Sequence, residues 1–300
     1  MSAEEVSRRI ALISILVSAL LAAAKIAVGI EAHSTAVVSD GLESAGDILA
    51  SGLVLLGLVL AARPPDAEHP YGHGRVETLS ALAVGMMLVI SGSLISARAL
   101  QGIGESQAKP LAFALWPAAA SIAIKTIMAL TKRRYARKIH SSALIADSWN
   151  DSVDVLSGTV ALVGLGLAVI QPARFGSADQ IGGAVVGLIV IFLGVRVVRD
   201  TTMQLIDTMP DTESMDRIRE VALSVPGARG IEKCFARKTG LKWHVDLHLE
   251  VDPDMSVYES HELATQVRIR IKETLDWVAD VLVHVEPYRA AVPSGTYGKS

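Results

Sequence analysis

The sequence has few cysteines and few charges for its 300 residues, and each shortage excludes a class of protein. A single cysteine, Cys234, excludes a disulfide framework and a thiolate metal cluster within one chain. Charged residues make up 20% of the chain, below the roughly 25% of a typical soluble domain, so some stretches must be almost uncharged. A net charge of −3 provides no basic surface, and we therefore expect no nucleic-acid partner.

The sequence contains several long apolar runs with almost no charged residues. Between Ile10 and Ile30 the only ionisable residue is Lys25. About 20 apolar residues are enough to cross a hydrocarbon core of about 30 Å. We predict six such segments, at residues 10–30, 36–62, 77–101, 111–130, 143–170 and 179–198. The chain is therefore expected to be a multi-pass integral membrane protein, and its first segment is too long for a cleaved signal peptide.

Composition divides the chain into a membrane part and a soluble part. We predict a six-helix transmembrane domain over residues 1–205, a cytoplasmic α+β domain over 206–290 and a flexible tail over 291–300. Lys and Arg are concentrated on one side of the predicted membrane, as at Arg63, Arg75 and Lys132, whereas the opposite loops hold little beyond Lys109 and Arg174. By the positive-inside rule both termini are expected to be cytoplasmic, in a bacterial inner membrane.

The soluble part has an α-β-β-α-β pattern. After Asp211 or Thr212, either of which would cap it, a helix is predicted from the spacing of apolar residues, namely Met215, Ile218, Val221 and Leu223. Two extended runs follow, GIEKCFARK and LKWHVDLHLEV, then a helix over 257–275 and a last strand DVLVHVE. This order predicts a ferredoxin-like or metallochaperone-like unit with helices on one face of a sheet.

A short polar pattern occurs twice, in the second and fifth apolar segments. SDGLESAGDILASG aligns with ADSWNDSVDVLSG, which pairs Asp40 with Asp147, Glu43 with Asn150, and Asp47 with Asp154. Lys25 and Lys125, each in the preceding segment, extend the symmetry as counter-charges or as snorkelling residues. Because the second and fifth segments would cross in opposite directions, the halves are predicted to be inverted repeats with a substrate site at the midplane.

The repeated acids need a physical reason, because a charge near the bilayer centre costs at least ~2.5 to 3.5 kcal/mol on insertion scales. Residues four apart share a helix face, so Glu43 would act with Asp47, and Asn150 with Asp154. Facing each other, these side chains offer four oxygen ligands to a divalent cation, and the crowded carboxylates would otherwise need protons. Two alternative interpretations are interhelical hydrogen bonding and helix ends that lie closer to water than predicted.

Five more residues are weaker candidates in the membrane part. Asp40 and Asp147 lie one turn nearer the helix starts, where they would form an entry vestibule or cap the helices. In the loop PDAEHPYGHGRVETLSAL, the spacing of Asp66, His69 and His73 would allow one cation to bind if the segment is helical. The turn-forming residues of the same loop favour a tight turn as the alternative.

Four residues of the soluble part are candidate metal ligands. His284 and Glu286 lie two apart on the last strand and therefore share a face, and His248 could join them from a neighbouring strand. His261 lies early on the second helix of this part. Histidines scattered in a soluble domain are more often ordinary surface or core residues, which is the alternative here.

Together these features resemble the cation diffusion facilitator family of metal–proton antiporters over nearly the whole chain. The shared elements are six spans, the paired motifs ending in Asp, the loop with its acid and two histidines, and the α-β-β-α-β tail. The resemblance implies a homodimer that exports a divalent transition metal from the cytoplasm by alternating access, driven by protons. It further implies transport ligands at Glu43, Asp47, Asn150 and Asp154, a regulatory or relay loop site, and a metal-bridged pair of tails.

The sequence departs from the family pattern at two ligand positions. Zinc-transporting members typically have His or Asp where Glu43 and Asn150 stand. Without an imidazole, the oxygen ligands suit Mn²⁺ better than Zn²⁺, with Fe²⁺ between them. We therefore expect Mn²⁺, Fe²⁺ or Zn²⁺ as the substrate, and proton coupling at Glu43, Asp47 and Asp154.

Two other functions are possible for a membrane chain with buried acids. An intramembrane hydrolase could use paired aspartates or a metal to activate water, but the sequence has no H-E-x-x-H motif, and we do not expect an enzyme. In the second alternative, a membrane-anchored metal sensor or scaffold, the loop and tail bind metal and the spans only anchor. Three acids in the spans would then be an unexplained energetic cost.

Overall fold

The computed structural model describes residues 3–31, 35–102, 115–170 and 178–289. The chain forms two compact units, Met1–Met203 and Gln204–Ser300. The first is built of helices, and the second combines helices with a small sheet. The tail predicted over 291–300 lies outside the described residues.

Six long helices account for most of the described part of the first unit. They are α1 (Ala3–Glu31), α2 (Thr35–Ala61), α3 (Arg75–Gln101), α4 (Leu115–Lys138), α5 (Ser142–Ile170) and α6 (Ala178–Leu205). By length and composition alone, Glu5–Val28 and Arg75–Gln101 are apolar enough to cross a membrane, and Asp47–Ala61 is a shorter apolar stretch. Each helix overlaps one predicted apolar segment, and the count of six membrane spans stays a prediction.

Helix α3 packs closely against α6 because glycines face each other. A Cβ atom added at Gly92 would lie 2.8 Å from the carbonyl oxygen of Gly187, and one added at Gly194 would lie 3.0 Å from that of Gly85. These distances leave no room for a side chain. Small residues allow such backbone contact between membrane helices, where apolar burial alone provides little attraction.

The outer surface of the first unit is rich in large apolar side chains. Exposed examples on α1, α3 and α6 are Leu16, Leu20, Ile90, Leu188 and Phe192. A continuous exposed apolar surface marks contact with a membrane or another protein. Polar side chains are found instead in the interior, where Asp147, Asp151, Lys125 and Lys132 are all buried.

The second unit has the predicted order of elements. They are α7 (Thr212–Leu223), β1 (Gly230–Thr239), β2 (Lys242–Val251), α8 (Val257–Thr274) and β3 (Val278–Pro287). The strands lie in the order β1-β2-β3, with β1 antiparallel and β3 parallel to the central β2. The parallel pair is possible because α8 carries the chain back across the sheet between β2 and β3.

One face of this sheet and both helices form the core of the second unit. The alternating residues Val245, Leu247 and Leu249 of β2 are buried, as the period of two predicts. From α7 and α8, the core receives Met215, Ile218, Val221, Ala222, Leu263, Val267 and Ile271. The opposite face of the sheet carries mainly polar and charged side chains, including those of the candidate metal ligands His248, His284 and Glu286.

Helix α7 differs in one detail from its predicted apolar face. Leu223 was expected on the buried face but is 46% exposed, and Ala222 is buried in its place. The reason is the helical period, because Ala222 lies four residues after Ile218, whereas Leu223 lies five after it. Asp211 is the residue that caps the helix, since its side chain accepts a hydrogen bond of 2.9 Å from the backbone N–H of Ser214.

Candidate metal sites

The two copies of the sequence repeat meet inside the first unit. Nδ2 of Asn150 on α5 donates a hydrogen bond of 2.8 Å to Oδ1 of Asp47 on α2. Asp154 lies on the same face of α5, one turn after Asn150. Glu43 and Asp40 belong to α2, but their side chains are outside the part of the chain that the structure describes. Three of the four predicted transport ligands are therefore brought together in the described residues.

A lysine ammonium group lies between the carboxylates of this cluster. Lys125 Nζ, on α4, is 2.8 Å from Asp47 Oδ2, 2.9 Å from Asp154 Oδ2 and 3.1 Å from Asp151 Oδ1. The lysine side chain is only 2% exposed, so it acts as a counter-charge and does not snorkel. Carboxylates from α2 and α5 thus point at one position that accommodates a cation. Lys25, its symmetry counterpart, is also buried and donates to Ser44 Oγ at 2.9 Å.

A second group of buried ion pairs lies two turns further along α4, beside Asp147 and Asp151 of α5. Lys132 Nζ is 2.7 Å from Asp147 Oδ2 and 2.6 Å from Asp151 Oδ2. Ser51 of α2 donates to the other oxygen of Asp147 at 2.9 Å. Asp147 is completely buried within α5, which begins at Ser142, so in this conformation it lies neither at a helix cap nor in an open vestibule. Asp151 is shared by both lysines.

Asp151 was not among the predicted site residues, and Lys132 was predicted to lie in a loop. Asp151 follows Asp147 by four residues, and Lys132 follows Lys125 by seven, so both pairs share helix faces. This matched spacing on consecutive helices was a signal of an interhelical ion-pair ladder. We had counted Lys132 among the loop charges, but α4 continues to Lys138, and Lys132 is buried within it.

The loop between α2 and α3 brings its three predicted ligands together. His69 Nδ1 lies 3.2 Å from Asp66 Oδ1, and His73 Nε2 lies 3.4 Å from Asp66 Oδ2. One donor atom from each residue lies within 4.8 Å of the others. We expected these residues to converge only if the segment were helical. The segment is instead a tight turn with Gly72 at φ +79°. The turn itself supplies the convergence.

Local hydrogen bonds prepare the loop carboxylate for a cation. The backbone N–H of His69 donates to Asp66 Oδ1 at 2.6 Å, and that of Glu68 donates to the same oxygen at 3.0 Å. The hydrogen bond from the His69 backbone lowers the pKa of Asp66 below its ordinary value of 3.8. The carboxylate therefore stays ionised at neutral pH, as a metal ligand must be.

Three of the four predicted ligands in the second unit converge on the polar face of the sheet. The parallel register places His248 of β2 opposite His284 of β3. Glu286 Oε1 lies 2.5 Å from His248 Nδ1 and 3.7 Å from His284 Nε2. One donor atom from each lies within 4.8 Å of the others. His261 is not in this group and lies exposed on α8.

A fourth residue of this cluster, a second carboxylate, comes from β1 and was not predicted. Glu232 Oε2 lies 3.7 Å from His248 Nδ1. Hydrogen bonds with Glu232 and His248 lower the pKa of Glu286 below its ordinary value of 4.5. Glu232 lies at the register shift between Ile231 and Lys233, where β1 pairs with the part of β2 that carries His248, and the sequence does not reveal this register.

Comparison with known proteins accounts for both units. Residues 11–206 match the family described as cation efflux transmembrane domain, and residues 210–288 match the cation efflux protein cytoplasmic domain. The chain belongs to the cation diffusion facilitator family. As a cation diffusion facilitator it is an integral membrane protein, and its function class is metal cation efflux.

Full-length relatives of this cation diffusion facilitator are manganese efflux proteins of Bacillus subtilis. The manganese efflux system protein MneP is 31% identical over 289 residues, which cover 95% of this chain and 97% of MneP. The manganese efflux system protein MneS is 30% identical over 280 residues, 92% of this chain and 94% of MneS. Among solved structures, the MamM C-terminal domain is 29% identical, covers 26% of this chain and 100% of its own, and has a TM-score of 0.25.

Proposed function

We propose that this protein exports a divalent transition metal from the cytoplasm in exchange for protons, by alternating access. The observation that carries the proposal is the meeting of Asp47 and Asp154, whose Oδ2 atoms both lie within 2.9 Å of one positive atom, Lys125 Nζ. Helices α2 and α5, one from each of the two predicted halves, thus offer carboxylates to a single cation. The transport ligands are proposed to be Glu43, Asp47, Asn150 and Asp154.

The proposed substrate is Mn²⁺, with Fe²⁺ next and Zn²⁺ least favoured. The ligand set consists of carboxylate and amide oxygens, which suit harder cations than the imidazole of zinc sites does. Two full-length relatives are named for manganese efflux, which agrees with this chemistry.

Protons are the proposed counter-substrate, carried by the acids of the same site. Glu43, Asp47 and Asp154 would repel each other when ionised together, unless a cation or protons neutralise them. When metal leaves to the outside, protons can take its place on these oxygens and return with the acids to the cytoplasmic side. A separate histidine carrier is not needed in this scheme.

The second unit is proposed to be cytoplasmic and to form a homodimer, with both termini on that side. On the polar face of its sheet, Phe235 and Leu282 lie on either side of Asp246 and are 51% and 68% exposed. Such apolar side chains on a charged face suit a protein contact. The clusters around Asp66 and His248 are proposed as accessory sites for the transported metal, and the apolar outer surface of α1, α3 and α6 as the contact with lipid.

Metal-stimulated proton flux in proteoliposomes tests the proposal directly. We expect flux with Mn²⁺ and Fe²⁺, less with Zn²⁺, and none in Asp47→Ala. Asp200→Ala is the matched control, because Asp200 is exposed on α6 and pairs only with Arg196 in the described contacts, at 3.9 Å. A native protein without flux for Mn²⁺, Fe²⁺, Co²⁺, Ni²⁺, Zn²⁺ or Cd²⁺, but with metal bound at the loop and tail, would instead be a membrane-anchored sensor.

A further inference from the structure

We propose that Lys125 is a tethered cation that occupies the transport site when metal is absent and moves onto Asp151 when metal binds. This inference rests on the proposed function, because it assigns a role to a residue that contacts the proposed ligands. Nothing in the repeat pattern alone requires a lysine at this position. The basis of the proposal is that the Lys125 ammonium group contacts Asp47, Asp154 and Asp151.

The ammonium group and a metal ion would compete for the same oxygens. Lys125 Nζ contacts the Oδ2 atoms of Asp47 and Asp154 at 2.8 Å and 2.9 Å. A divalent cation bound to carboxylate oxygens sits about 2.0–2.6 Å from them. Two positive groups cannot occupy that space together, so metal binding requires the ammonium group to leave.

A second position for the ammonium group lies beside the first. Asp151 Oδ1 is already 3.1 Å from Lys125 Nζ, and Asp151 is not among the proposed metal ligands. The other oxygen of Asp151 is held by Lys132 at 2.6 Å, and Lys132 is held in turn by Asp147 at 2.7 Å. Asp151 is therefore fixed in place, and the flexible four-carbon stem of Lys125 allows a small displacement toward it. The lysine keeps a carboxylate partner in both positions.

This arrangement avoids two unfavourable states of a buried site, namely unpaired acids when metal is absent and slow release when metal is bound. Without metal, Lys125 offsets one negative charge of the site, so Asp47 and Asp154 do not face each other without a cation in the membrane interior. With metal, the returning ammonium group competes for the ligands and helps to release the ion. The competitor carries a single charge, so a monovalent ion gains little by replacing it. A divalent cation has the greater charge needed to displace the lysine, which makes Lys125 a specificity residue.

Equilibrium Mn²⁺ binding by the full-length protein in detergent tests this role. We expect Lys125→Met to bind Mn²⁺ more tightly by about 5- to 150-fold, the usual range of coupling between two ligands of one protein. We expect its Mn²⁺ flux at saturating metal to fall, because release is no longer assisted. Lys125→Arg keeps the charge and is expected to keep the weaker native affinity.

Lys132→Met is the matched control, since it removes another buried lysine from the same helix that touches neither Asp47 nor Asp154 in the described contacts. We expect Lys132→Met to change the Mn²⁺ affinity by less than Lys125→Met does. Equal tightening in both variants would overturn the proposal, because the effect would then follow from net charge. Unchanged or weaker Mn²⁺ binding by Lys125→Met would also overturn it and leave Lys125 a structural counter-charge.

Loss of a buried lysine can prevent folding, because it leaves carboxylates without a partner. The double variant Lys125→Met/Asp151→Asn removes one charge of each sign and still leaves Lys132 paired with Asp147. It should show the same tightening of Mn²⁺ binding if Lys125→Met does not fold. Failure of the proposed function is distinguishable, because it would appear as absent flux in the native protein and as equal Mn²⁺ binding by Asp47→Ala and the native protein.

Discussion

Asn150 donates its side-chain N–H to Asp47 across 103 residues of sequence, at 2.8 Å. The bond joins α2 to α5. Because an ionised Asp47 has no proton to donate, the amide oxygen of Asn150 does not bond to it. Asn150 therefore has two functions in the proposed site: it orients Asp47, and it offers a neutral oxygen to a cation.

Replacement of this amide by an imidazole is expected to shift the metal preference. Asn150→His introduces the ligand type that suits Zn²⁺, so the ratio of Zn²⁺ to Mn²⁺ transport should rise by roughly tenfold, equivalent to about 1.4 kcal/mol. Flux of each metal in proteoliposomes gives the ratio. Asn150→Gln, which keeps the amide, is the control and should retain the native preference. An unchanged ratio in Asn150→His would mean that site geometry outweighs ligand type.

Glu77 stabilises the amino-terminal end of α5 from a neighbouring helix. Its Oε1 accepts hydrogen bonds from Ser141 Oγ at 2.8 Å and from the backbone N–H of Ala143 at 2.7 Å, and Glu77 is completely buried. Glu77→Ala leaves these donors without a partner and should lower the free energy of unfolding by ~1–3 kcal/mol. Thermal unfolding in detergent measures the change. Glu77→Gln keeps an acceptor oxygen and should lose less, and equal losses would contradict this role.

The helices and strands were largely predictable because both periodicities are strong in this sequence. The alternation of Val245, Leu247 and Leu249 identified β2, and the nearly uncharged run containing Lys25 identified α1. The helix ends were less predictable. Polar turns such as the last turns of α4, up to Lys138, remain helical because their side chains pair with a neighbouring helix or face outward, which composition does not reveal.

Asp66 is expected to be the key ligand of the loop cluster. Asp66→Ala removes the only carboxylate among the three converging residues and should weaken metal binding at the loop at least about tenfold, because even the loss of a residue that supports a metal ligand has an effect of that size. Calorimetry in an Asp47→Ala background isolates this site from the transport site. Glu68→Ala is the control, because Glu68 contributes only its backbone N–H to Asp66 in the described contacts. Native binding by Asp66→Ala would show that the loop is only a turn.

A similar prediction applies to the cluster of His248, His284 and Glu286 on the sheet of the second unit. His248→Ala and Glu286→Gln should each weaken metal binding to the second unit at least about tenfold, because each removes one of three converging donors. His244→Ala is the matched control, since His244 lies four residues earlier on the same strand and outside the cluster. If all three variants bind metal equally, the convergence of His248, His284 and Glu286 has no role in binding.

The amino-terminal end of α8 should be sensitive to acid. Ser256 and Glu259 form a capping box, and hydrogen bonds from the Ser256 side chain and backbone lower the pKa of Glu259 below its ordinary value of 4.5. A lowered folded-state pKa contributes stability that is present above pH 4.5 and is lost as the pH falls through the folded value. Hydrogen exchange of the first turn of α8, corrected for the intrinsic rate, should therefore speed up in acid.

Ser256→Ala is expected to remove both the cap and its pH dependence, with a loss of ~0.5–2 kcal/mol of helix stability. Ser260→Ala is the control, because the Ser260 side chain donates to the carbonyl oxygen of Val257 and is not part of the capping box. Acid-sensitive exchange that persists in Ser256→Ala would assign the effect to another group.

The proposed transport site was only partly predictable from the sequence. The repeat identified Asp47, Asn150 and Asp154 because matched spacing in two segments is visible without coordinates. The role of Lys125 was not predictable, because which carboxylates a lysine contacts depends on how α4 packs against α2 and α5. Glu77 was missed for the same reason, because its partners Ser141 and Ala143 lie 64 and 66 residues away, at the amino-terminal end of α5.

The ion-pair ladder between α4 and α5 also has a consequence for how the chain enters the bilayer. Alone, α4 would carry Lys125 and Lys132 into hydrocarbon, and each buried charge would cost at least ~2.5 to 3.5 kcal/mol on insertion scales. Alone, α5 would carry Asp151 and two more acids. When α4 and α5 pair as a helical hairpin across the short connection at residues 139–141, the two lysines offset two of the three acidic charges. The translocation machinery should therefore release α4 and α5 into lipid together, as one hairpin, and a long insertion between them should impair assembly.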